Sequence, residues 1–172
     1  MPRLALEIML WTLLRRGDAR LFGPQHRING YIEIVNGKTQ KHTVLPEMPE
    51  LTAAIDAMEA VGAGAYLLSE RREPFKSAAS FGMWFRRQCN DAGLPHCSAH
   101  GLRKATARRL AEDGATQQEL KAAGNWTQDR DVAKYTQAAD QRRLANTALT
   151  RLADHVRARK GYTNNKGPEG TV

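Results

Sequence analysis

Apolar residues recur along the chain at two different spacings, and the alternation divides it into elements. Leu4, Ile8, Trp11 and Leu14 stand three and four apart, which predicts a helix over residues 3–16. The Arg15-Arg16-Gly17 run ends it. Two strand-like runs follow, Tyr31 to Val35 and Lys41 to Leu45, with Asn36-Gly37 between them. Asn-Gly is a strong short-range hairpin signal, because both central residues of a tight turn need positive φ. Ala19 to Phe22 reads as a third strand, cut off by Gly23-Pro24.

After Pro46 to Pro49 the spacing returns to helical. Leu51, Ile55 and Met58 share one face over about 50–61, and Gly62 and Gly64 break the pattern. Ser69 to Pro74 is a charged loop. Phe81, Trp84 and Phe85 mark a helix over 77–92, with Arg86 and Arg87 beside them. Aromatics interleaved with Arg can stack on bases, but at this spacing core packing is the stronger reading. Ser98 caps the next helix and Gly114 stops it. Thr116 to Glu119 is a capping box for another, ending at Gly124. Helix, turn and helix would also suit a DNA-reading motif, though these signals are generic. Leu144, Leu149, Leu152 and Val156 predict a last helix over about 138–159. The polar residues 160–172 read as a disordered tail. The whole is one domain by length, over 1–159.

Charge narrows the partners. A net charge of +8 and a pI near 9.9 favour a polyanion. The basic residues are spread along the helices and not pooled in a tail, which suits a folded surface that cups DNA. The apolar run Leu4 to Leu14 is broken by Glu7 and falls short of the roughly 20 residues of a membrane span. No signal-peptide cleavage site follows it, so a cytoplasmic protein is expected. Cys89 and Cys97 form neither a metal motif nor a disulfide framework.

The residues from His100 to Tyr135 carry the candidate chemistry. His100 and Arg103 lie three apart in a first helical turn, so they share a face. The free N–H groups and positive dipole end of that turn favour a phosphate. Arg offers a planar fork of donors that matches phosphate oxygens two at a time. His moves a proton near neutral pH, and Tyr can attack phosphorus and hold the fragment covalently. Each residue alone is more often structural or solvated; their joint order carries the reading.

This set resembles the tyrosine recombinases, the phage-type integrases. Their His-x-x-Arg block stands here as His100-Gly101-Leu102-Arg103, and their His or Trp, nine residues before the nucleophilic Tyr, as Trp126 and Tyr135. Aligning on Gly124 would put Asn125 in the His/Trp position instead. The family's Thr-Gly-x-Arg turn is Thr12-Leu13-Leu14-Arg15 here, followed by Asp18, with Leu13 where the family has Gly. Its hairpin lysine matches Lys38, with Lys41 the competing assignment.

The resemblance implies a mainly α-helical catalytic domain with a small antiparallel β-sheet, an α+β fold. It implies that Arg15 and Arg103 clamp a scissile phosphate, Tyr135 attacks it, His100 assists the proton and Lys38 protonates the leaving oxygen. Trp126 packs around the phosphate and Asp18 supports the basic groups. It further implies double-stranded DNA as partner, a tetramer on that DNA, no cofactor and no metal. Family members carry a further N-terminal DNA-binding domain, and this chain starts just before the Arg15 helix. A fragment or a minimal form, with weak DNA affinity, is therefore expected. Two other readings share these residues: a type IB topoisomerase-like enzyme, and a DNA-binding module that keeps the fold without the chemistry.

Overall fold

A computed structural model describes residues 1–58 and 64–163. Seven α-helices and three strands follow in the order α1 (Pro2–Thr12), α2 (Arg16–Ala19), β1 (Arg27–Ile28), β2 (Tyr31–Val35), β3 (His42–Pro46), α3 (Pro49–Asp56), α4 (Ala78–Asp91), α5 (Ala99–Glu112), α6 (Gln117–Gly124) and α7 (Asp129–Thr163). The fold is mainly helical, with one antiparallel sheet of order β1-β2-β3.

The helical stripe at the start of the chain buries Leu4, Ala5, Ile8 and Met9 of α1. They join Ile32, Ile34 and Leu45 from the sheet, Leu51 and Ile55 from α3, and Phe81 and Phe85 from α4 in one core. The aromatic segment is thus core, as its spacing indicated: Phe75 stacks edge-on to Phe81, with ring centroids 5.3 Å apart. A second, smaller cluster holds α7 down. Ala111, Leu120 and Val132 are buried there, with Trp126 and Tyr135 packed against them.

Capping follows the side chains that can do it. Ser77, Ser98 and Thr116 each accept a hydrogen bond from a backbone N–H of the first turn they precede. Gly114, at φ 98°, takes the left-handed conformation that lets the chain leave α5.

The structure departs from the periodicity at five places. Ala19 to Phe22 is no strand: Ala19 closes α2, and the third strand is Arg27–Ile28. A second Asn-Gly pair, Asn29-Gly30, makes the tight turn into β2, with φ of 51° and 80° and Ile28 paired to Tyr31. Between β2 and β3 the loop is longer than a two-residue turn. It closes with Asn36 N–H donating to Lys41 O at 3.0 Å and Gln40 N–H to Asn36 O at 2.8 Å. The positive φ falls on Gln40, not on Asn36 or Gly37.

Helix α1 stops at Thr12, because Leu13 turns left-handed at φ 47°. Helix α3 ends at Asp56, and the expected continuation over 59–61 lies outside the described residues. Helix α7 begins at Asp129, ahead of the helix expected over about 138–159, and it includes residues 160–163 of the expected tail. The rest of that tail lies outside the described residues. Among the described residues no helix is long and apolar enough to cross a membrane.

Candidate active site

The site begins at the break after α1. The Thr12 hydroxyl donates to Ile8 O at 2.5 Å and accepts from Leu14 N–H at 3.3 Å, so it ends the helix with its own side chain. Leu13 then adopts the conformation a glycine takes without cost. Its side chain is buried, and that burial offsets the strain. Arg15 follows in extended backbone at the start of α2. Its Nη1 is buried and has no hydrogen-bond partner among the described residues. A buried guanidinium nitrogen left open is costly unless a ligand completes it.

Asp18, one turn into α2, is buried. Its Oδ1 accepts a hydrogen bond from Gly37 N–H at 3.0 Å. That bond fastens the β2–β3 loop to α2, and Lys38 is the next residue. Opposite stands the first turn of α5. Ser98 Oγ caps it by accepting from Gly101 N–H at 3.1 Å. His100 is exposed and Arg103 buried on the same side of this turn.

Arg103 is held on two sides. Its Nη2 donates to Gly124 O at 2.5 Å, and its Cζ lies 4.3 Å from the ring centroid of Trp126. Gly124 is needed under that ring, since a Cβ there would fall 1.8 Å from Trp126 Cζ3. Tyr135 packs against the indole, ring centroids 5.9 Å apart.

Met9, Leu14, Arg15, Arg16, Lys38, Ala99, His100, Arg103 and Trp126 line one cleft of about 490 Å³. Four of the expected residues, Arg15, Lys38, His100 and Arg103, therefore meet there with Trp126. Asp18 stands behind them. Tyr135 is not in the cleft wall; it is half-buried beside Trp126, near enough to Arg103 to act on its charge, with Lys134 Nζ 5.1 Å from its ring centroid. Of the competing pairs, Lys38 and Trp126 line the cleft, whereas Asn125 turns away and donates to Thr43 Oγ1 at 2.6 Å. Lys41 is exposed and is absent from the lining.

The cleft wall carries cations and no carboxylate. Burial, and next the like charge of Arg15, pushes the Arg103 guanidinium down to about 10, so it stays protonated at neutral pH. Burial also lowers the His100 imidazole, assisted by Lys104, Arg103, Arg16 and Lys134. Its neutral form, able to accept a proton, is favoured. Such a site fits an anion with several oxygens and a charge that grows during reaction.

Two contributors escaped the sequence pattern. Arg16 lines the cleft beside Arg15; its place in a charged pair at a helix end gave no signal. Gly124 was read as a helix stop, and only the Trp two residues on hints that a ring must lie over it.

The family model for the phage integrase family matches residues 1–142. The chain belongs to the phage integrase family. A lambda integrase dimer bound to a COC′ core site is similar in structure, with TM-score 0.65 and 24% identity over 78% of this chain and 51% of that one. The lambda integrase catalytic core gives TM-score 0.60 and 24% identity over 72% of this chain and 82% of that one. The Tn1549 transposon integrase in complex with transposon right end DNA gives TM-score 0.67 and 17% identity over 83% and 58%. The chain thus spans about half the length of the lambda integrase in the DNA-bound dimer. No curated protein matches it in sequence.

Proposed function

We propose that this chain binds double-stranded DNA and cuts and rejoins its strands through a 3′-phosphotyrosyl intermediate, as a catalytic domain of site-specific recombination. The observation that carries this is the shared cleft of Arg15 and Arg103, with Arg15 Nη1 buried and without a hydrogen-bond partner among the described residues.

In this reading the two guanidiniums hold the non-bridging oxygens of one scissile phosphate and offset the charge that builds on them. The Tyr135 hydroxyl attacks phosphorus. His100, neutral in the resting site, accepts the phenolic proton. The bond to the 5′ oxygen breaks, and Lys38 gives that oxygen a proton as it leaves. The new phosphotyrosyl ester keeps the energy of the broken link, so a later 5′ hydroxyl reverses the step. Trp126 shields the phosphate and fixes the Arg103 fork. Tyr135, beside the indole, must reach the phosphate when DNA enters, and catalytic contacts of this kind commonly tighten only in the complex. The neighbours solved on DNA support DNA as the partner, and several copies acting together, a tetramer in this proposal, would exchange strands.

The test is a nicked duplex whose cut strand loses a short fragment, so that a covalent adduct accumulates and is seen on a denaturing gel. Wild type should form it and Tyr135→Phe should not. No adduct from folded wild type would reject the reading. The position of Tyr135 outside the cleft favours one rival, a DNA-binding module without chemistry. In that case Tyr135→Phe binds DNA as wild type does, and neither protein forms an adduct.

A further inference from the structure

A buried polar relay joins the Lys38 loop to the Trp126 segment. Thr43 Oγ1, on β3, accepts from Asn36 Nδ2 at 2.8 Å and from Asn125 Nδ2 at 2.6 Å. Both amides also reach Lys41 O, at 3.3 Å and 3.5 Å. All three side chains are buried: Asn36 is 2% exposed, Thr43 7% and Asn125 9%. Asn36 is the last residue before the loop, Lys41 closes it, and Asn125 is the left-handed cap of α6 at φ 50°. One hydroxyl thus receives donors from both ends of the site.

Lys38 itself is exposed, and among the described residues it makes no hydrogen bond or ion pair. A long cation with no partner is placed by its backbone alone. Within the loop that backbone is closed by Asn36 N–H on Lys41 O and Gln40 N–H on Asn36 O; towards the rest of the site it is held by Asp18 Oδ1 on Gly37 N–H and by the relay. Cutting the relay unties the base of the loop from the Trp126 turn, so Lys38 is held less firmly over the cleft. The Gly124-Asn125-Trp126 turn keeps other ties when the relay is cut: Gly124 O accepts from Arg103, and Trp126 N–H donates to Lys121 O at 3.1 Å.

We propose that Asn36, Thr43 and Asn125 are positioning residues that hold Lys38 at the leaving oxygen. They couple its loop to the turn that supports Arg103. The proposal rests on the reading above, in which the Lys38 ammonium gives its proton to the 5′ oxygen as the P–O bond breaks and the electron pair stays on that oxygen.

Two variants break the link between the loop and the Trp126 turn, and Asn125→Gly leaves Asn36 bonded to Thr43. Asn125→Gly removes the amide and keeps a residue suited to positive φ, and Thr43→Val removes the hydroxyl at the same shape. Each is run on the nicked duplex with an ordinary 5′ oxygen and with a 5′-bridging sulfur, which departs without a proton. General acid help is worth about 100-fold or more. Each variant should therefore lose about tenfold or more in adduct rate on the oxygen substrate and recover to within about threefold of wild type on the sulfur one. Lys38→Ala should show the same recovery. Equal losses on both substrates, or no loss on oxygen, would overturn the proposal.

Amide hydrogen exchange over residues 36–41, measured without DNA, gives a reading independent of activity. Exchange should quicken in both variants, and exchange equal to wild type would overturn the proposal even where adducts form. Wild type that makes no adduct on either substrate refutes the phosphotyrosyl reading. The exchange result then still decides whether the relay holds the loop.

Discussion

Gly124 shows how tightly single residues set the site. Its missing Cβ leaves room for the Trp126 ring, and that ring in turn covers Arg103. Gly124→Ala would drive the two apart. Overpacking of this kind costs about 1–3 kcal/mol, so a lowered melting midpoint together with weaker binding of a phosphate-bearing duplex is expected. Wild-type stability and binding would show that the ring is not seated there. His100 gives a second check. Its imidazole is depressed in the folded chain, so the favourable neutral form persists above the unfolded value of roughly 6.5. Its contribution to stability is lost as pH falls through the lower, folded value. A proton NMR titration should place its midpoint below that of a free imidazole, and Lys104→Gln should raise it. At this scale much was readable in advance. The His100-x-x-Arg103 pair and the Trp126–Tyr135 interval are local spacings, and local spacing survives folding. The buried relay through Thr43 was not readable, because a threonine in a strand gives no sign of which amide will reach it from residue 125.

Among the elements, periodicity located the helices well and their ends less so. The core face of α4 was legible from Phe81, Trp84 and Phe85. Phe81 is fully buried, so Phe81→Ala should cost about 3–5 kcal/mol in denaturant unfolding. The end of α1 was not legible, because the Thr12 side chain and the left-handed Leu13 stop it before the apolar pattern does. The Asn36-Gly37 pair promised a tight turn, yet Asn36 uses its amide inward and the tight turn falls at Asn29-Gly30. Both pairs have the same local propensity; tertiary hydrogen bonding chose between them. The far half of α7 presents Leu144, Leu149 and Leu152 to solvent at 58–66% exposure. These side chains add little to the fold of the single chain. Leu149→Asp with Leu152→Asp should leave the unfolding midpoint within about 0.5 kcal/mol of wild type. A loss of several times that would show the stripe is covered in solution.

For the molecule as a whole, composition already favoured DNA, and the structure places part of the positive charge in one cleft. Non-specific attraction for a duplex scales with the phosphates neutralised, so log K against log salt should fall steeply. Arg15→Gln should reduce that slope by about one, the loss of a single phosphate contact. A slope equal to wild type would put the arginine off the DNA. Family membership and fold follow from the match over residues 1–142 and the shared architecture. What the sequence could not convey is that Tyr135 packs beside Trp126, outside the wall of the cleft that the two arginines share.

The central claim is that phosphorus passes to one hydroxyl. The most direct test is to digest the trapped protein–DNA adduct with trypsin and locate the nucleotide by mass spectrometry. The added mass is expected on the peptide beginning at Tyr135, which trypsin releases after Lys134, and on no other tyrosine. Nucleotide found on a different residue, or no covalent species from folded protein on any nicked duplex, would contradict it.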